Sequence, residues 1–208
     1  MQDEQRTYTA FVGHHRVASG ELVDVALKVK AVVDGGEKAA VTVIDDSTGD
    51  SVSMNLHGTP EQLRARLERK LAQGAEAEPP RKPGPGRPKL GVVSREVSLL
   101  PRHWEWLNEQ PGGASVTLRK LVEEARRANQ AKDLARRARD AAYRFMYVMA
   151  GDLPGFEEAS RALFAGDAGH FEQHLRSWPK DVREHAQKLA EVARRRAREA
   201  EAAESRER

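Results

Sequence analysis

A short basic run near the middle of the chain has residue types suited to contact with nucleic acid. Residues 80–89 read Pro-Arg-Lys-Pro-Gly-Pro-Gly-Arg-Pro-Lys, and their cations are Arg81, Lys82, Arg87 and Lys89. Glycine lets a backbone lie against the floor of a narrow A·T minor groove, proline holds the chain extended, and arginine reaches into the negative potential there. The run therefore predicts a DNA contact, with a basic proline-rich hinge as the alternative.

The same run resembles an AT-hook, a minor-groove-binding motif whose core is Arg-Gly-Arg-Pro within basic flanks. Gly86, Arg87 and Pro88 match the last three positions of that core, whereas Pro85 stands where its first arginine belongs. The resemblance is to a degenerate hook, and it implies that the linker contacts DNA in the minor groove.

A second candidate for contact with DNA follows directly, in residues 92–128. A β-prone run ends at Leu100, Pro101 opens a short helix, residues 111–113 form a turn, and Ser115 is expected to cap a second helix. This order of strand, helix, turn and helix resembles the ribbon-helix-helix module. The alternative is an ordinary helical hairpin that follows a strand.

The ribbon-helix-helix resemblance implies that two chains pair one strand each into a ribbon that enters the major groove of DNA. It implies that Glu96 and Ser98 face the groove, while Val97 and Leu99 face the core of a homodimer. The start of the second helix would anchor a phosphate, because its free N–H groups and its dipole favour an anion. The residues at this anchor are Ser115, Thr117, Arg119 and Lys120.

The distribution of charge points to the same part of the chain. Residues 79–144 contain 15 Lys or Arg and 7 Asp or Glu, against 9 and 13 in residues 1–78 and 11 and 12 in residues 145–208. The three parts therefore have charges of +8, −4 and −1, within a net charge of +3. A basic middle is typical of a protein that binds a polyanion, although a solvated charged helix over 119–144 would produce a similar excess.

The strands and helices that the sequence predicts around these residues indicate an α+β fold in several parts. Alternating apolar residues predict strands, and apolar residues three and four apart predict helices. The parts are a small α+β domain at 6–73, a flexible basic Pro/Gly linker at 74–91, the strand-helix-helix segment at 92–128, a helical region at 129–193 and a charged tail at 194–208.

In the N-terminal part, the spacing of the apolar residues predicts two strands that pair within residues 8–19 and a helix over 22–33. Two alternating runs within 41–56 flank a turn that contains glycine, and they predict a hairpin. Thr59 is expected to cap a second helix, because its hydroxyl can accept a hydrogen bond from an N–H of the first turn.

The composition limits the remaining classes of function. The chain has 208 residues and no cysteine, which excludes disulfides and thiolate metal sites and is typical of a reducing compartment. No apolar run approaches the roughly 20 residues of a membrane span, and the polar N-terminus lacks the apolar core of a signal peptide. We therefore expect a cytoplasmic protein without a membrane contact.

Patterns typical of enzymes do not occur in the sequence. It has no nucleophile elbow, phosphate-binding loop or dinucleotide fingerprint. His170 and His174 lie four residues apart on a predicted helix, but the sequence identifies no third metal ligand. We therefore expect no enzyme activity, no cofactor and no metal, and the sequence identifies no small-molecule substrate.

Five runs carry a resemblance that extends over about residues 8–190. They are 8–14 (YTAFVGH), 86–93 (GRPKLGVV), 95–104 (REVSLLPRHW), 111–115 (PGGAS) and 151–157 (GDLPGFE). Together they resemble a bacterial family known only as domain of unknown function 2239. The resemblance implies a single shared architecture and no particular activity.

These patterns favour a DNA-binding protein, either a transcriptional regulator or a nucleoid-associated factor, that acts as a homodimer. The runner-up is a protein-interaction module in which the linker is a hinge and the helical region is the docking surface. An enzyme ranks third, because it would need a pocket with convergent His, Asp or Glu side chains.

Overall fold

The computed structural model describes residues 6–75 and 93–207. The chain divides into two compact units. The first, which we call the core unit, consists of residues 1–73 and 131–208, and the second, the central unit, of residues 74–130. A small sheet and a set of helices confirm the predicted α+β class.

The core unit contains a three-stranded antiparallel sheet in the order β2-β1-β3. Its strands are β1 Tyr8–Val12, β2 His15–Gly20 and β3 Val41–Asp45. All five residues of β1 are buried, because this strand has a neighbour on each side and helices against the sheet. The two strands predicted within residues 8–19 are confirmed, with a bulge after Ala10.

Two helices of the N-terminal part follow the pattern of their sequence. Helix α1 is Leu22–Asp34 and helix α2 is Pro60–Ala75. The predicted cap at Thr59 is confirmed, since its Oγ1 accepts the Gln62 N–H at 3.3 Å. Gln62 Oε1 accepts the Thr59 N–H in return at 3.0 Å, which completes a reciprocal capping box.

The hairpin predicted within residues 41–56 forms only at its base. Ser51 makes an isolated bridge to Ile44, and the Val52 N–H donates to the main-chain oxygen of Val43 at 2.7 Å. No strand follows in residues 53–57. Side chains of the two helices bind the carbonyl groups there instead, because Lys30 donates to Leu56 O and Arg66 to His57 O.

The rest of the described chain is helical. Its elements are α3 Pro101–Glu109, α4 Gly113–Ala150, α5 Phe156–Ala165, α6 Ala168–His174, a 3₁₀ turn Leu175–Ser177 and α7 Lys180–Glu207. Among the described residues, no helix is both long enough and apolar enough to cross a membrane.

Two helices continue through domain boundaries that were predicted from the sequence. Helix α4 has 38 residues and crosses the expected boundary after residue 128, and α7 crosses the expected start of the tail at residue 194. No proline or glycine interrupts residues 114–150 or 180–207. A change in composition does not end a helix unless a residue also breaks its hydrogen bonds, so both helices continue.

One hydrophobic core joins the sheet to the C-terminal helices. The ring centroids of Phe11 in β1 and Phe145 in α4 lie 5.7 Å apart, and Ile44 of β3 belongs to the same cluster. The expected division into 6–73 and 129–193 therefore differs from the structure, which packs these parts together. The apolar pattern of an element shows which face is buried but not which element covers it.

Candidate nucleic-acid-binding surface

The residues expected to contact DNA fall into three groups along the chain. The linker cations Arg81, Lys82, Arg87 and Lys89 lie outside the described residues. Glu96 and Ser98 lie in a segment before α3, and Ser115, Thr117, Arg119 and Lys120 lie in the first two turns of α4.

Residues 93–100 contain no strand in the single chain. Glu96 and Ser98 are exposed, and so is Val97, which was expected in a core. A strand is defined by hydrogen bonds to a neighbour, and no other described segment of the chain supplies them here. The expected strand is therefore absent from the described residues 93–100.

The start of α4 differs from the prediction at Ser115. The helix begins at Gly113, so Ser115 is its third residue rather than its N-cap. Gly112 and Gly113 have φ values of 90° and 71°, which glycine adopts without steric cost, and the chain completes its turn there. Ser115 is exposed, Thr117 is half-buried, and the Arg119 Nε donates to Ser115 O at 3.1 Å.

Several cations of the central unit are available to a polyanion. The side chains of Arg95, Arg102, Arg119, Lys120 and Arg127 are exposed, and none forms a salt bridge with an acidic residue in the described part of the chain. An exposed guanidinium or ammonium group without an acidic partner can neutralise a phosphate. The two predicted anchor cations, Arg119 and Lys120, therefore lie among exposed cations that have no acidic partner in the described part of the chain.

The central unit also exposes large apolar side chains. Within residues 93–130, Leu107 is the only buried residue. The exposed set, which we call the central apolar surface, is Val93, Val97, Leu100, Trp104, Trp106, Leu121 and Val122. Several large apolar side chains exposed in one unit are typical of a protein interface, because their contact with water is unfavourable.

A buried polar cluster in the core unit was missed by the sequence analysis. Asp46 Oδ2 accepts hydrogen bonds from Thr7 Oγ1 at 3.1 Å, Thr9 Oγ1 at 3.2 Å and Lys188 Nζ at 2.9 Å. His185 Nε2 lies 3.2 Å from Asp46 Oδ1, but the two groups are not aligned for a hydrogen bond. The cluster joins the end of β3 to α7.

The surroundings of this cluster explain its charge. The Asp46 side chain is only 7% exposed, and the His185 ring lies edge-on to Phe11 and Phe145. Burial alone would raise the pKa of Asp46, but the neighbouring His185 and Lys188 outweigh it and lower the pKa to about 2. Because the cluster is closed to solvent on the His185 side, we assign it a structural role.

A signal for this cluster was present in the sequence. Asp46 directly follows an apolar strand-like run, and His185 occupies the same helical stripe as Val182 and Leu189. A charged residue at the end of a buried strand and a histidine on an apolar face both predict buried polar partners. Their pairing could not be predicted, because 138 residues of chain lie between them.

His170 has a local partner in the structure. Its Nδ1 lies 2.6 Å from Asp167 Oδ2, and this hydrogen bond raises the pKa of the exposed imidazole. Asp167 also caps α6 by accepting the His170 N–H at 3.0 Å. In the residues that the structure describes, no three His, Asp or Glu side chains are grouped so that they could hold a metal ion.

Comparison with known proteins identifies a family for this chain. The family model described as "Uncharacterized protein conserved in bacteria (DUF2239)" matches residues 7–190. The chain shows no significant match to a curated protein or to a solved structure. The match covers both units, so the core unit and the central unit occur together in this family.

Proposed function

The chain belongs to this uncharacterized bacterial family, and we propose from its own residues that it is a DNA-binding protein, not an enzyme, that acts as a homodimer. A transcriptional regulator or a nucleoid-associated factor of the cytoplasm fits this activity. The proposal assigns the contact with DNA to the central unit and to the basic linker.

The observation that carries the proposal is the incompleteness of the central unit. Leu107 is its only buried residue among those described, while seven large apolar side chains are exposed. A segment with so small a core is unstable alone and needs another surface to cover it. A second copy of the same segment supplies an equally apolar surface, and it supplies the strand partner that residues 93–100 lack.

The exposed cations support DNA as the ligand. Arg119 and Lys120 are the seventh and eighth residues of α4, one turn beyond its first turn, where unpaired N–H groups and the helix dipole also attract a phosphate. Arg95 and Arg102 flank the segment that contains Glu96 and Ser98. In the proposed ribbon, Ser98 can bond to a base edge, and Glu96 can accept a hydrogen bond from a cytosine amine.

The double variant Arg119→Ala/Lys120→Ala is expected to bind DNA more weakly and with less dependence on salt. Each lost phosphate contact removes about 0.9 from the slope of log affinity against log salt concentration, so two contacts remove about 1.8. The measurement is a fluorescence anisotropy titration of the full chain with mixed-sequence and A·T-rich duplexes, at about 50 mM and about 200 mM salt.

The matched control is Arg69→Ala/Lys70→Ala, which removes an adjacent exposed Arg-Lys pair from α2 of the core unit. This control is expected to keep the wild-type slope. Equal slopes for the two double variants would contradict the role of Arg119 and Lys120. An absence of binding by the wild-type chain at low salt would contradict the proposed function as a whole.

The variant Val122→Glu is expected to weaken the homodimer by at least about tenfold, because a carboxylate would replace an apolar contact at the proposed interface. Sedimentation velocity over a range of protein concentrations measures the dissociation constant. Val148→Glu is the control, since Val148 is an exposed valine of the same helix in the core unit. A wild-type chain that stays monomeric at tens of micromolar would refute the homodimer.

A protein-interaction module is the second candidate, and an aromatic surface of the core unit favours it. Tyr147 and Phe164 are 64% and 48% exposed, and both lie beside the half-buried ring of Tyr143. Aromatic side chains are enriched in protein interfaces. Two results together would favour this candidate. The wild-type chain would bind no DNA, and Tyr147→Ser would fail to capture a protein partner that the wild-type chain captures from nuclease-treated lysate.

A further inference from the structure

We propose that a cleft between the turn at residues 49–51 and helix α4 binds a guanine base. The cleft lies within the core unit, and Tyr143, Arg144, Tyr147 and Val148 of α4 form its other wall. Its volume is about 380 Å³, which is within the range of about 300–1,000 Å³ that ligand pockets occupy. This site goes beyond the proposed contact with DNA, because it uses no residue of the central unit.

An exposed ion pair in the cleft keeps hydrogen-bonding groups available to a ligand. Arg144 Nη1 donates to the two carboxylate oxygens of Asp50, at 3.2 and 3.1 Å. The Nη2 and Nε groups of Arg144 have no hydrogen-bond partner among the described residues, so their N–H donors can bind a ligand. Asp50 also keeps acceptor positions, and both side chains are more than half exposed.

The ion pair favours a neutral ligand. Arg144 and Asp50 carry opposite charges side by side, so an anion would be repelled by Asp50 and a cation by Arg144. A ligand that meets both groups offers a hydrogen-bond acceptor to Arg144 and, directly beside it, a donor to Asp50. A carbonyl group next to an N–H on the edge of a planar ring satisfies this requirement.

Tyr147 supplies a surface on which a planar ring can stack. It is 64% exposed, and Val148 beside it is 44% exposed. The ring of Tyr143, one helical turn away, lies with its centroid 6.5 Å from that of Tyr147. Nucleobases stack on exposed aromatic side chains because every base has a π face. An aromatic ring next to an ion pair therefore favours a nucleobase.

Among the nucleobases, guanine fits the ion pair best. Its O6 acceptor lies next to N1–H, and its N2 amino group adds a second donor, so a carboxylate can accept two parallel hydrogen bonds. Adenine has an amino group in place of O6, so Arg144 would meet a donor. Uracil and thymine have a carbonyl beside an N–H but no second donor for Asp50.

The turn that carries Asp50 is held in position without a ligand. Thr48 Oγ1 accepts the Asp50 N–H at 3.2 Å, and Asp50 O accepts the Asp45 N–H at 3.0 Å. A Cβ at Gly49 would lie 2.1 Å from Ala141 O, so glycine lets the turn lie directly against α4. A preformed site lowers the cost of ordering on binding.

A purely structural role explains less of this geometry. An exposed ion pair contributes little to stability, and contact of exposed apolar side chains with water is unfavourable. A base that covers Tyr147 and bonds to Arg144 and Asp50 accounts for all three side chains together.

The test is calorimetric titration of the DNA-free full chain with 5′-GMP, 5′-IMP, 5′-AMP and 5′-UMP. We expect 5′-GMP to bind with a Kd below about 1 mM, and 5′-IMP, which lacks only the N2 amino group, to bind at least about tenfold more weakly. All four nucleotides carry the same phosphate, so a contact of the phosphate alone would give equal affinities. Equal affinities, or no binding of 5′-GMP, would overturn the proposal.

A guanine base occurs both in free nucleotides and in single-stranded nucleic acid, and a further titration separates these sources. It compares 5′-GMP with an oligothymidylate that contains one guanine and with the same oligothymidylate without guanine. Tighter binding of 5′-GMP than of the guanine-containing oligothymidylate would identify a free nucleotide as the ligand. Tighter binding of that oligothymidylate, lost when its guanine is replaced, would identify a single strand.

Two variants locate the site. Tyr147→Ser and Asp50→Asn should each weaken the binding of 5′-GMP at least about tenfold, and circular dichroism checks that both fold. Asp152→Asn is the matched control, because Asp152 is an exposed carboxylate just after α4 that does not line the cleft, and it should bind as the wild type does. Unchanged affinity in either folded variant would overturn the proposal. DNA binding is measured separately and a purified nucleotide needs no protein partner, so this site can fail independently of both proposed functions.

Discussion

Replacing Asp46 with asparagine is expected to lower the free energy of unfolding by about 2 kcal/mol at pH 7. The carboxylate accepts three hydrogen bonds, from Thr7, Thr9 and Lys188, and its pKa is held at about 2 against an ordinary value of 3.8. A difference of one pKa unit corresponds to about 1.4 kcal/mol, so the lowered pKa accounts for about 2 kcal/mol of stability. Asparagine keeps the shape of the side chain but has no charge.

The pH dependence of this loss has a defined sign. The folded-state pKa lies below the unfolded-state value, so the stabilisation is complete above the unfolded-state value and is lost as the pH falls through the folded-state value. The difference between the wild type and Asp46→Asn should therefore shrink as the pH falls from about 4 to about 2. Urea unfolding followed by circular dichroism at several pH values measures both proteins.

Asp50→Asn is the matched control for Asp46→Asn. Asp50 lies in the same turn, but its ion pair with Arg144 at 3.1 Å is more than half exposed on both sides. Exposed pairs contribute about 0–1 kcal/mol, so Asp50→Asn should change the free energy of unfolding little. Its difference from the wild type should not shrink as the pH falls. A similar loss in both variants would contradict the assignment of the acid-sensitive stability to the buried cluster.

Gly49→Ala is expected to cost about 3 kcal/mol of stability, from two separate effects. Gly49 has a φ of 73°, and an alanine there would be strained by about 1–2 kcal/mol. Its Cβ would also lie 2.1 Å from the main-chain oxygen of Ala141 in α4, so the turn or the helix must move. Overpacking of this kind adds about 1–3 kcal/mol. Thermal unfolding monitored by circular dichroism measures the loss.

Gly13→Ala separates the two effects. Gly13 also has a positive φ, 56°, but no atom lies within 4 Å of the position where its Cβ would be. This variant should therefore cost only the backbone strain of about 1–2 kcal/mol. Equal losses of stability in Gly49→Ala and Gly13→Ala would contradict the expected cost of the contact between the added Cβ at position 49 and α4.

The candidate DNA-binding surface was predictable in part. Arg119 and Lys120 are exposed on the second helix of this segment, where the sequence analysis placed them. The capping role of Ser115 was wrong, because two consecutive glycines with positive φ let the helix begin earlier. Residues 93–100 form no strand in the single chain, and the pairing of this segment with a second chain stays a prediction.

The sequence by itself determined the local elements of this protein. The alternation in residues 8–19, helix α1 and the capping box at Thr59 all follow from interactions between residues close in the chain. Their physical cause is local, because side-chain spacing, caps and breakers act within one or two turns. The α+β class follows from the same elements.

Only the tertiary structure decided which elements share a core. The contact of Phe11 with Phe145, the bond from Lys188 to Asp46 and the approach of Gly49 to Ala141 join the two ends of the chain. Burial of apolar surface has no direction, so an apolar face in the sequence is compatible with many partners. The choice among them depends on the packing of whole surfaces and on the pairing of buried charges such as Asp46, which arise only when distant segments meet.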